Sequence, residues 1–144
     1  MTFASTNDII VTGDVTSTSG SDAVFGLIAD NFVRVYHPVN GCNNAVGTLQ
    51  NITIEAAILS LKHSFIVDNH DCGAGLGTLT VKGAIAQCFR GVVGTTRPSG
   101  YLKDHNYDNR LRFRSPPYFL HPVSAAWKVI RTNEQVPATK ERTP

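Results

Sequence analysis

Two heptapeptides constrain the fold of this chain more than any other feature: Ile52-Thr-Ile-Glu-Ala-Ala-Ile58 reappears 27 residues later as Leu79-Thr-Val-Lys-Gly-Ala-Ile85. Both read apolar-x-apolar-x-small-x-apolar, the alternation of a strand whose successive side chains point to opposite faces. Self-similarity at a fixed step of this size is the mark of stacked coils. The same pattern occurs near the start as Ile9-Ile-Val11-Thr-Gly13-Asp-Val15. Stacked in register, the three stretches build apolar ladders: Ile9 with Ile52 and Leu79, and Val11 with Ile54 and Val81.

A second face follows each stretch, as Phe32-Val-Arg-Val35, Phe65-Ile-Val67 and Val92-Val93. Ile52 to Phe65 and Leu79 to Val92 are both 13 residues, so these two coils are expected in one phase. Insertions around Thr16 to Asp22 and Gly41 to Gln50 then account for the longer 43-residue step from Ile9 to Ile52. A solenoid tolerates such insertions at its corners, because each coil touches only its neighbours. Gly13, Ala56 and Gly83 read as small residues that leave room for Phe32 or Phe65 on the opposing face. The expected fold is therefore mostly β, a parallel β-solenoid of about three to four coils.

Past Thr95 the chain turns polar and aromatic through Tyr101 to Arg114 and is halted by Pro116-Pro117, as a terminal coil closing the stack would be. Ser124 can cap a short helix over about 124–132, with Trp127 and Ile130 on one side, covering exposed strand edges. Residues 1–133 read as one domain and 134–144 as a disordered tail.

Hydrophobic residues at 42% and charged residues at 17% place the chain among folded globular proteins. A formal charge of +2, with no run of Lys or Arg, disfavours nucleic acid as a partner. No apolar run approaches the roughly 20 residues of a membrane helix. The N-terminus carries no signal peptide, so an exported domain would be a piece of something longer. Cys42 and Cys72 both lie in polar loops just after second-face strands, so stacking brings those corners together and predicts a Cys42–Cys72 disulfide, consistent with an oxidising compartment. Cys88 aligns with Leu61 in a strand and is expected to be a buried free thiol.

The stretch Phe25-Gly-Leu-Ile-Ala-Asp-Asn-Phe-Val-Arg-Val-Tyr-His-Pro-Val39, with His63-Ser-Phe-Ile-Val-Asp-Asn69 and Arg114-Ser-Pro-Pro-Tyr-Phe-Leu120, resembles a bacterial group. This is the C-terminal region of uncharacterised, mainly actinobacterial, surface proteins, in which a hydrophobic pilus-assembly-like segment precedes a β-solenoid. The resemblance implies an extracellular or cell-surface location. It brings no activity and no site residues.

Two polar clusters combine carboxylates with imidazole: Asp68, His70 and Asp71, and Asp104, His105 and Tyr107. Such groups can bind a ligand or exchange protons. Both clusters also follow strands, where Asp and Asn build turns by bonding their own backbone. No ladder of aspartates is evident, since the position following Asp68 in the next coil is Thr95. His63 aligns with Arg90 and the two read as a paired basic surface, while His37 and His121, each before a proline, read as strand ends. No His-x-His, His-x-x-His or Cys-x-x-Cys spacing supports a metal site, and no cofactor is expected. Ser60, His63 and Ser64 lack the context of a hydrolase nucleophile. Gly73-Ala-Gly75-Leu-Gly77 precedes a strand, so it reads as a turn and not a phosphate loop. The leading expectation is a non-enzymatic structural or interaction module whose partners are other surface proteins or itself. The alternatives are a polysaccharide-binding or polysaccharide-acting domain using Tyr36, Tyr101, Tyr107 or the Asp/His loops, and a self-assembling fibre subunit.

Overall fold

Eight strands form two sheets, alternating between them as far as the seventh, in a computed structural model that describes residues 1–18, 21–42, 46–47, 49–96 and 99–120. They are β1 (Thr2–Ser5), β2 (Ile9–Val11), β3 (Phe25–Ala29), β4 (Val33–Val35), β5 (Thr53–Ser60), β6 (Phe65–Val67), β7 (Gly75–Gln87) and β8 (Gly100–Tyr107). One sheet has the order β1-β3-β5-β7-β8 and the other β2-β4-β6. Every pairing between strands is parallel. Parallel neighbours need a crossover, and here the opposite side of each coil provides it, which makes the chain a β-solenoid of about four turns. The capping helix expected over 124–132 and the tail over 134–144 lie outside the described residues.

The repeat places β5 on β7 as its sequence implies: Ile54 pairs with Val81, Ala56 with Gly83 and Ile58 with Ile85. Ile54, Ile58, Leu79 and Val81 are buried, and β-branched side chains suit such pleated ladders. Across the coil, Val33, Val35, Phe65 and Val67 close the core from the second sheet.

The first copy does not join that ladder. Ile9 to Val11 form β2 in the second sheet, where Ile9 pairs with Val33 and Val33 with Phe65. The first sheet draws instead on Thr2–Ser5 and Phe25–Ala29. The 43-residue step thus contains a whole additional coil and not two corner insertions. Coil lengths vary from 24 residues (Thr2 to Gly26) through 31 (Gly26 to Ala57) to 27 (Ile54 to Val81). An apolar-x-apolar triplet fits either face, so a search at one period pairs only coils of like length. Of the first copy, Val15 alone reaches the ladder, through an isolated bridge to Ile54.

Two further expectations shift by small steps with large consequences. The Val67 amide bonds to the Val92 carbonyl at 3.0 Å, and Val93 is 1% exposed against 44% for Val92. Coil four therefore rounds its corner one residue sooner than coil three, and a one-residue slip exchanges inside for outside. Cys88, carried onto that corner, is exposed and free, not buried.

The small residues also have a different cause from the one expected. A Cβ on Gly83 would stand 1.8 Å from the Ala56 carbonyl oxygen, so this glycine admits a neighbouring backbone and not an opposing phenylalanine. Phe32 does not reach the interior, because it stacks on His63 at a corner.

After β8 the chain does not continue the stack. Asp108 bonds to the Gly83 carbonyl, a 3-10 turn follows at Asn109–Arg112, and the Arg110 guanidinium reaches the Ser21 carbonyl at 3.1 Å. Arg114 pairs with Asp22, a Cβ on Gly26 would meet Phe119 and Pro116, and the Thr2 hydroxyl donates to the Pro117 carbonyl. Residues 108–119 thus form a strap from the last coil back to the first.

Tyr101, 4% exposed at the start of β8, donates its hydroxyl to the Leu49 carbonyl. Burial pushes its phenol up to about 12 from 10.0. Between these values the unfolded chain releases the proton while the folded chain keeps it, so stability falls as pH rises across that window. Roughly 2–3 kcal/mol should be lost by pH ~12. The Tyr101→Phe variant should lack this component, and chemical denaturation of both proteins across the window measures the difference.

Candidate functional site

The first polar cluster follows directly from β6. Asn69 adopts a left-handed φ of 43°, and the Cys72 amide bonds to its carbonyl at 3.0 Å, closing a turn. The Asp68 carboxylate accepts from Arg34 Nε at 2.8 Å, and the same guanidinium donates to Asp8 at 3.1 Å. Arg34 lies midway along β4, so one side chain braces three successive coils. Hydrogen bonds to Asp68 and then Asp8 raise the guanidinium pKa above its usual range.

Asn69 donates to the His37 carbonyl at 2.8 Å, while the His37 ring, 1% exposed, holds Nδ1 3.2 Å from the carbonyls of both Asp68 and Asn69. Two acceptors there place the proton on Nδ1, and Nε2 has no partner among the described residues. Asp71 is exposed, with its carboxylate 3.7 Å from Cys72 Sγ. His70 packs its carbonyl where a Cβ on Gly100 would lie. Cys42 and Cys72 are joined by a disulfide with an S–S distance of 2.02 Å, and the Gly73 amide bonds to the Cys42 carbonyl alongside.

The second cluster is divided by strand alternation. Val81 pairs with His105 and Gly83 with Tyr107, so His105 and Tyr107 share the inward side of β8 with Lys103, which pairs with Leu79. Asp104 pairs with Thr80 and points the other way, where it accepts from Asn106 at 2.9 Å. Asp108 is occupied as well: it caps the 3-10 turn and pairs with Arg110 at 2.7 Å, which holds its carboxyl below the usual range. Of Asp68, His70, Asp71, Asp104, His105 and Tyr107, only His105 and Tyr107 share one surface. No three His, Cys, Asp or Glu side chains among the described residues group to hold a metal.

His63 does not pair with Arg90. Its ring stacks on Phe32 at 4.4 Å and tilts toward Phe89 at 6.5 Å, forming an aromatic corner ladder across three coils. Ser64 donates to the Phe89 carbonyl at 2.6 Å, and Ser60 is buried.

His105 and Tyr107 line a hollow of about 440 Å³ with Val81, Gly83 and Ile85, and a smaller one beside it is not announced by the polar clusters. At the end of the stack this smaller hollow, of about 200 Å³, has an apolar floor of Phe65, Ile85 and Val93, with Arg90, Lys103 and His105 around it. Partial burial, then the charge of Lys103, keeps the His105 pKa below its usual value against the opposing pull of Asp104, so the ring is neutral at pH 7. The signal was present in the sequence: β8 carries Lys103 and His105 at inward positions that Leu79 and Val81 fill one coil below. Reading it requires the register of β8, which no sequence repeat supplies. Another hollow lies at the opposite end, between Phe3, Ile9, Val11, Val15 and Leu27.

Comparison with protein-family models, with curated proteins and with solved structures found no match to this chain.

Proposed function

We propose that this chain is a non-enzymatic structural and interaction module of a bacterial surface protein, a rigid stack that presents its loops and its end. The observation that carries this reading is the employment of the candidate acids. Asp68 is tied with Asp8 to Arg34, Asp108 to Arg110, and Asp104 to Thr80 of the preceding coil at 3.4 Å, so these carboxylates join neighbouring coils or fix a turn. An acid/base pair for catalysis must meet at one point, whereas Asp104 and His105 lie on opposite sides of β8. The Cys42–Cys72 bridge supports an oxidising location, and the resemblance to surface proteins supports the same one.

The test is turnover. Purified protein incubated with plant and bacterial polysaccharides should release no reducing ends above a buffer control. Hydrolysis abolished by Asp68→Asn or Asp104→Asn would overturn the reading. Self-assembly draws on another feature, the half-exposed Phe3 and Ile10 beside the apolar hollow at the β1/β2 end. Sizing the chain against concentration separates that reading from a solitary module.

A further inference from the structure

Coil four ends with an unfinished strand pairing. The last partners of β7 and β8 are Gly83 and Tyr107, yet β7 runs on through Gln87. In a parallel ladder a residue directs its N–H and C=O to one side, and the next residue to the other. Thr80 donates downward to Ile52, while the Gly83 carbonyl accepts from Asp108 on the upper side. Ile85 and Gln87 share the phase of Gly83, so their backbone groups point upward, where no strand partner exists among the described residues.

Beside this edge the Gln87 side chain accepts from the Phe65 amide at 2.8 Å, while two cations lack an ion-pair partner among the described residues. Arg34, Lys62, Lys82, Arg110 and Arg114 form ion pairs, and Arg112 lies over the Phe113 ring. Arg90 and Lys103 are the described cations with no such partner, and both line the hollow over Ile85 together with His105. Both cations border one small hollow, so an anion placed in it would meet two positive charges.

We propose that the edge of β7 over Ile85–Gln87, unpaired among the described residues, accepts an extended acidic peptide from a partner protein, added as a further parallel strand. Its backbone would bond to Ile85 and Gln87, and an inward Asp or Glu would lie between Arg90 and Lys103. Strand addition supplies affinity through the main chain and specificity through alternate side chains. The chain's own residues 121–144 are a poor match in charge: Lys128, Arg131, Lys140 and Arg142 outnumber Glu134 and Glu141. The proposal rests on the reading of the chain as an interaction module and names the chemistry of its partner.

The probe is a fluorescent, acetylated and amidated hexapeptide alternating valine with aspartate, titrated into the full chain. Saturable binding is expected, weakened about tenfold or more in an Arg90→Ala/Lys103→Ala variant. N-methylation of alternate peptide amides should weaken it comparably, and a lysine-for-aspartate peptide should not bind. Circular dichroism confirms that the variant folds; if it does not, Lys103→Gln alone serves, with Lys103→Arg expected to retain binding. Absence of binding at millimolar peptide, or indifference to N-methylation, overturns the proposal. Tighter binding of polygalacturonate at the same residues overturns it too, by making the partner an acidic glycan. These failures leave the module reading standing, whereas polysaccharide turnover removes it.

Discussion

Gly83→Ala should destabilise the chain by about 3 kcal/mol or more, the upper end of what overpacking costs, because the added atom meets rigid backbone. The added Cβ would stand 1.8 Å from the Ala56 carbonyl oxygen, and no rotamer change can relieve a contact between backbone atoms. Relief requires β7 to lift from β5 along a ladder of eight paired residues. Total stability in domains is about 5–15 kcal/mol, so much of it would be gone. A matched control lies in the same chain. Gly13 occupies the corresponding place in the sequence pattern, but a Cβ there meets nothing within 4 Å, so Gly13→Ala should move the denaturation midpoint little. Urea unfolding of both variants decides the matter. Equal midpoints would mean that β7 does not press on β5 as described.

The contrast between those two glycines also marks how far the sequence could be read. The Ile52 and Leu79 stretches are legible because nothing is inserted between them, so identical spacing translates into identical register. Ile9 to Val11 carry the same letters but belong to the other sheet, since a triplet of alternating apolar residues has no feature that distinguishes the two faces. Phe25–Ala29 carries no alternating pattern for the opposite reason. Flanked by covered surfaces, Gly26, Leu27, Ile28 and Ala29 are all buried, so their run shows no alternation. The Val92/Val93 slip came from a corner one residue shorter, a difference that composition does not encode.

The site follows the same logic. Turn-forming Asp68 and Asn69 were readable because their chemistry is local. Lys103 and His105 become a surface only when they replace Leu79 and Val81 at the top of a ladder, and Arg90 joins them from a different segment. Such a site exists in the stacking and not in any motif.

Loss of the Cys42–Cys72 bridge should cost about 3–4 kcal/mol. The bond closes a loop of 30 residues, and the chain-entropy treatment assigns that magnitude to such a loop. For a chain of this length the corresponding fall in Tm is about 10–15 °C. Cys42→Ser/Cys72→Ser, or reduction, should produce it, while Cys88→Ser should not, because that thiol is exposed and unpaired. A second effect discriminates a local tie from a general one. Leu49 follows Cys42 by seven residues in the sequence, and its carbonyl accepts from the Tyr101 hydroxyl. If the bridge fixes Leu49 in place, its removal should shrink the stability difference between the parent protein and Tyr101→Phe, a coupling that a double-mutant cycle reads directly. An additive outcome would show that Leu49 is held in place without the disulfide, and a Tm change of a few degrees would show that the loop is already closed by the coils themselves.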